Sequence, residues 1–266
     1  IKNVEKEIHF EGEDLGDWFA AQIQAQIDDM NANGIKFAGF LADSIFSSDG
    51  VMPNPIGFLK KAVDVVHANG GIFIADEVQP GFARTGDSFW GFGRHGVVPD
   101  IITTGKPMGN GIPVSGLLAK DHVLSAFSQK IPYFNTFGGN PVAMAAAQAV
   151  LKTIQEEELQ AHSQRLGGLL LTELRKLMEK YDCVGDVRGA GLFIGFELVQ
   201  DRFTKMPDKA LALDLIEELR NTHRVLTSVA GPYGNVLKLR PPLVFQEKDI
   251  DWLVGALDQA LSKLQK

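Results

Sequence analysis

Cysteine is nearly absent: Cys183 is the one thiol in 266 residues. A lone thiol closes no internal disulfide, so a reducing cytoplasm is the expected compartment and a small buried side chain its expected role. Long apolar runs are missing too. Nowhere do roughly 18 apolar residues follow one another, and the stretch 1–14 has neither the basic head nor the apolar run of a signal peptide, so a membrane-spanning or secreted chain is not expected. Nor is there a basic block. The 33 acidic residues outnumber the 26 basic ones for a formal charge of −7, which argues against nucleic acid or an anionic membrane and leaves a small molecule as the default partner.

Several catalytic signatures are also lacking. The six histidines show no metal-ligand spacing, and no Gly-x-Ser-x-Gly elbow occurs. GFGRHG (91–96) matches the dinucleotide pattern literally, but it follows SFW and leads to VVPD, without the strand-turn-helix context the fingerprint needs. Gly105 and Lys106 are followed by Pro107, with no glycine five residues before Gly105, so a P-loop fails as well.

What is present alternates. Leu15, Phe19, Ile23, Ile27 and Met30 recur at intervals of three and four, predicting a helix over 14–33 closed by Gly34. Residues 36–43 and 71–76 read as buried strands, with a helix over 55–68 between them; short strands follow over 100–103 and 114–119. That rhythm predicts a mainly parallel sheet covered by helices. Pro141 opens an alanine-rich helix to about 155. Beyond it come a long helix to about 180, strand-like pieces around Gly189 and Gly191, a helix over 207–221, short strands at 224–227 and 236–239, and a terminal helix. The expected division is 1–155 for a large domain and 156–266 for a smaller α+β domain. The chain begins on Ile1, in a strand-like segment and without methionine, which suggests a piece of a longer protein.

Three polar clusters carry chemistry. GIFIADEVQ ends a strand in Asp76, Glu77 and Gln79, and DIITTGKPMGNG ends one near Lys106, where α/β sheets place their ligands. An acid and a lysine at adjoining strand ends suit a pyridoxal cofactor, which needs an amine for its carbonyl and a carboxylate for its ring nitrogen. A structural salt bridge at the sheet edge would use the same two residues. In TFGGNP (136–141), Thr136 and two glycines precede a helix start, a setting that suits a phosphate or equally a plain loop capped by Asn140.

IADEVQPGFARTG, PDIITTGKPMGNGIP, YFNTFGGNPVA, GDVRGAGLFIGFELV and VLKLRPPL together resemble the class III pyridoxal-phosphate-dependent aminotransferases, from about Phe37 to the C-terminus. The resemblance implies the aspartate aminotransferase-like α/β fold, with the N-terminal part of the large domain missing, and a homodimer with a shared active site. It implies pyridoxal 5'-phosphate as cofactor. Lys106 would then be the Schiff-base lysine, Asp76 the partner of the ring nitrogen, and Gln79 a neighbour of the phenolic oxygen. Thr136 would contact the phosphate of the adjoining subunit, and Arg240 would grip a substrate carboxylate. Arg84 is a weaker candidate, in a turn that shapes the pocket mouth.

Two departures stand out. Asp43 and Ser44 replace a commoner glutamate and proline, which puts the usual gating acid in doubt. The phosphate-binding turn and ring-stacking aromatic of the family lie upstream of Ile1. The expected reaction is amino transfer between an amino donor and a keto acid. GKPMGNG, ADS and GPYGNVLKLRPPL also resemble the branch containing phospholyases, which eliminate phosphate from phosphoethanolamine-type amines. A reading of another class is a non-catalytic fragment or scaffold that needs a partner to supply the rest of the site.

Overall fold

The computed structural model describes residues 13–265; the strand-like reading of the segment at Ile1 lies outside them. Helix α1 (Glu13–Ala32) packs on α2 (Leu59–Ala68) beside a four-stranded sheet. Its strands β1 (Gly39–Ala42), β2 (Ile72–Asp76) and β3 (Ile101–Thr104) are parallel and adjacent, and β4 (Gly116–Ala119) adds antiparallel to β3. In β2 the alternation buries Phe73 and Ala75 completely against Ala42, Val63 and Val97. Asp100 ties this layer together, accepting from the Phe73 amide, His67 and Lys120, each at 2.8 Å.

Helix α3 (Asp121–Ser128) follows β4, and α4 (Pro141–Glu156) starts with Asn140 accepting from the Ala143 amide at 3.0 Å. Then comes α5 (Leu159–Lys180), whose Leu166, Leu170, Leu174 and Leu177 form one buried stripe. The stripe covers one face of a second sheet built from β5 (Val184–Ala190), β6 (Phe193–Leu198), β7 (Ser228–Ala230) and β8 (Val236–Leu239), all antiparallel in the order β5-β6-β8-β7. Helices α6 (Lys209–His223) and α7 (Glu247–Leu264) complete that core. A reciprocal cap between Gln246 and Asp249 starts α7. Cys183 is buried here, and burial pushes its thiol up to about 11. Among the described residues no helix is long and apolar enough to cross a membrane, and no three His, Cys, Asp or Glu side chains cluster as metal ligands do.

Three expectations shift. Helix α2 starts at Leu59 rather than 55, because Pro55 to Phe58 form a turn in which the Gly57 amide donates to His95 Nδ1 at 3.0 Å. Strand β7 starts at Ser228 rather than 224, because Arg224 takes a left-handed conformation (φ 57°) to end α6. Helix α3 was not foreseen.

The other face of the second sheet meets the loop after β1. Arg188 reaches from β5 to the carbonyls of Gly50 (2.7 Å) and Val51 (2.8 Å) while pairing with Asp186 and Glu197. Gly231 N donates to Ser48 O at 3.0 Å, and Ile45, Val51 and Phe193 share a small apolar cluster. Gly167 on α5 touches the β5–β6 turn so closely that a Cβ there would lie 2.1 Å from Gly191 O.

His95 is buried with Nε2 2.8 Å from Ser44 O and Nδ1 accepting from Gly57, an arrangement only the neutral ring can make. Burial pushes its pKa down to about 4, with Arg94 acting in the same direction. Between that value and the ordinary pKa of about 6.5, the unfolded chain therefore holds a proton that the folded chain refuses. Stability should be full above pH 6.5 and should fall by on the order of 2 kcal/mol as pH drops toward 4. Urea titrations at several pH values check this; a His95→Gln variant with the same slope would assign the loss to another group.

Candidate active site

The parallel strands place three polar residues at one edge. Ala42 pairs with Ala75 and Asp76 with Thr103, so Asp43 just past β1, Asp76 ending β2 and Lys106 just past β3 all lie at carboxyl ends of neighbouring strands. Ligands bind at this edge of α/β sheets. Asp76 is half-buried; its Oδ1 accepts from the Val78 amide at 3.0 Å, and among the described residues nothing donates to Oδ2. Lys106 is exposed and holds φ 25°, a conformation that costs energy in a residue with a Cβ. It opens a one-turn helix through Gly109 on which α4 packs. Among the described residues, neither Asp76 nor Lys106 forms an ion pair, so the salt-bridge alternative is not what the fold builds.

Gln79 lies a short loop beyond Asp76. Its Nε2 donates to the hydroxyls of Ser47 and Ser48, and its Oε1 accepts from Arg240 Nη1 at 3.2 Å. Arg240 sits past the end of β8 with its guanidinium 5.9 Å from the Phe193 ring centre. Asp43 turns inward: Oδ1 accepts from Ile45 N at 2.9 Å, and Oδ2 from Ser47 N at 3.2 Å and from the Ser47 hydroxyl. Burial raises the Asp43 pKa despite these donors, and the Asp76 charge adds to the rise. Glu77, fully buried, is pushed up to about 8 by burial, opposed by the amides of Gly91 and Phe92 that it accepts. Those amides belong to GFGRHG, so the donors that a dinucleotide phosphate would have used are spent on an internal carboxylate.

Lys238 was missed. It stands on β8, two residues before Arg240, which follows the strand's end. Burial lowers its pKa, as do the charges of Arg240 and Lys106, while Asp43 opposes them. Charged groups from three segments, at the ends of β1, β3 and β8, thus converge electrostatically.

The remaining candidates lie apart. Thr136 is exposed, in a loop of exposed residues that precedes α4, and no hydrogen bond joins it to Asp76, Gln79 or Lys106. Arg84 holds two elements together instead of facing a pocket. Its Nη1 donates to Leu192 O at 3.2 Å and to Pro241 O, and its own carbonyl accepts from Leu192 N and Ser163 Oγ. Burial and the nearby Arg240 bring its pKa down to about 10.

Residues 4–261, nearly the whole chain, match the family described as aminotransferase class-III. The chain belongs to the class III aminotransferases. It is 44% identical over 244 residues to an alanine–glyoxylate aminotransferase 2-like protein of Drosophila melanogaster, covering 91% of this chain and 49% of that one. A phospholyase from Arthrobacter, solved in complex with phosphoethanolamine, superposes with a TM-score of 0.88 at 40% identity, over 91% of this chain and 57% of that one. An amine transaminase from an uncultivated Pseudomonas species, solved with pyridoxal phosphate bound, gives 0.86 at 32% identity, over 95% and 58%. The class III chain described here therefore spans about half the length of the relatives it matches.

Class III aminotransferases use pyridoxal phosphate. The residues present fit that group: an exposed, unpaired lysine stands at the strand edge beside a carboxylate with one oxygen free of any described donor.

Proposed function

We propose that this chain supplies part of the active site of an aminotransferase that moves an amino group between an amino donor and a keto acid. The observation that carries the reading is the placement of Lys106 and Asp76 at the carboxyl ends of adjacent parallel strands, unpaired with each other. Bound pyridoxal phosphate supplies the electron sink that makes the proton beside the amine removable. Lys106 Nζ would hold the carbonyl end and then take and return that proton. Asp76 Oδ2 would accept the ring N–H and keep its proton in place, and Gln79 would lie near the phenolic oxygen. Arg240 would hold a substrate carboxylate, a task suited to a fork of parallel N–H donors.

Thr136 would serve the phosphate of a neighbouring copy in a homodimer. Exposed apolar side chains support this: Leu117, Leu118, Tyr133, Phe134, Phe137 and Val142 stand open around the same segment, and such surfaces mark contacts. The division into a cofactor-holding part over 1–155 and a smaller part over 156–266 belongs to the same proposal, as does a cytoplasmic location.

A phospholyase is the second reading. Similarity to the Arthrobacter enzyme favours it, as does Lys238 beside Arg240: among the described residues neither cation has a carboxylate in ion-pair range, and a phosphate carries two charges. The test uses the full-length protein with pyridoxal phosphate. Amino transfer from alanine to a keto acid, without phosphate release from phosphoethanolamine, supports the first reading; phosphate release without transfer supports the second. A chain that retains no cofactor and shows neither activity is a scaffold.

A further inference from the structure

The loop after β1 and the strand edge are joined by a chain of hydrogen bonds whose direction is fixed. Asp43, when ionised, only accepts. Ser47 has one proton and gives it to Asp43 Oδ2. Its oxygen can then only accept, so the Gln79 amide must turn its Nε2 toward Ser47, with Ser48 Oγ taking a second N–H at 3.2 Å. The carbonyl end of that amide is left facing outward, and it is the acceptor that Arg240 Nη1 meets at 3.2 Å. Had the amide been reversed, two donors would face each other.

We infer that Ser47 is a positioning residue for anion binding: through the Gln79 amide it sets where the Arg240 guanidinium rests. The inference builds on the proposed role of Arg240. Ser47 is fully buried and touches no substrate, so it acts only by fixing which end of Gln79 faces out. Asp43 becomes the origin of this polarity rather than the ion-pair partner of Arg240, because both its oxygens are occupied within its own loop. A neutral amide also gives way to an anionic substrate group more easily than a carboxylate would.

The test measures the affinity of the full-length, pyridoxal-phosphate-loaded protein for succinate, a non-reacting carboxylate, by calorimetry, alongside steady-state kinetics. Ser47→Ala should weaken succinate three- to tenfold and raise KM for a carboxylate substrate by a similar factor, with kcat within twofold and KM for an uncharged amine unmoved. Ser47→Thr keeps the hydroxyl and should restore wild-type affinity. Asp43→Asn puts a donor into the chain and should weaken succinate as Ser47→Ala does, which keeps the inference testable if the alanine variant folds poorly. Succinate affinity unchanged in Ser47→Ala while Arg240→Ala loses it would overturn the Ser47 role alone. Affinity unchanged in Arg240→Ala as well would remove the role of Arg240 and the inference with it. Equal loss toward anionic and uncharged substrates would reduce Ser47 to a structural part and overturn it too.

Discussion

Lys106→Ala should lower kcat by about a thousandfold or more, the scale expected when a positioned amine that moves a proton is lost. The visible absorbance that the full-length protein gains with pyridoxal phosphate should vanish with it. Two features of the chain make the effect large. Lys106 is unpaired at the sheet edge beside Asp76, and its φ of 25° is a conformation that costs energy in a residue with a Cβ. Lys238 senses the charge of Lys106, and its pKa is lowered by burial, Arg240 and Lys106. A lysine of that kind can substitute weakly, so any residual band in Lys106→Ala should disappear in Lys106→Ala with Lys238→Met. Wild-type absorbance and rate in the single variant would end the catalytic reading of Lys106.

Glu77→Ala should be the costliest change in the wall of the site, destabilising by about 3 kcal/mol, because it strips the buried Gly91 amide and the half-buried Phe92 amide of their acceptor. Gly91 N lies 2.6 Å from Oε2 and Phe92 N 2.9 Å from Oε1. Glu77→Gln keeps one oxygen and should cost about 1 kcal/mol, within the range for one ordinary hydrogen bond. Chemical denaturation separates them. Equal losses for Ala and Gln would show that one acceptor oxygen is not enough to hold the 91–95 turn.

Strand positions were legible because an apolar run that ends in a charge leaves little choice. IFIAD has to bury Phe73 and Ala75, and that puts Asp76 at the exit. The leucine stripe of α5 was equally plain. Less legible were features set by partners far away in sequence. Helix α2 starts late because Gly57 finds His95, 38 positions on, and Gln79 is oriented by Ser47, 32 positions back. No local pattern announces either. The roles of Gln79, Thr136 and Arg240 came from family resemblance. Geometry gives Gln79 and Arg240 a shared hydrogen bond, whereas Thr136 stands exposed and apart from them. Lys238 was not legible because the charges that act on it, Lys106 and Asp43, come from segments far away in sequence.

Arg188 bears on how this enzyme could open and close. Its guanidinium spans β5 and the loop that carries Asp43, Ser47 and Ser48, held by two main-chain oxygens on one side and two carboxylates on the other. Any hinge that swung the second sheet away from that loop would have to strip both main-chain oxygens from a guanidinium whose carboxylate partners, Asp186 on β5 and Glu197 on β6, travel with it. Loop and sheet are thus expected to travel as one rigid jaw, with any opening made by movement elsewhere.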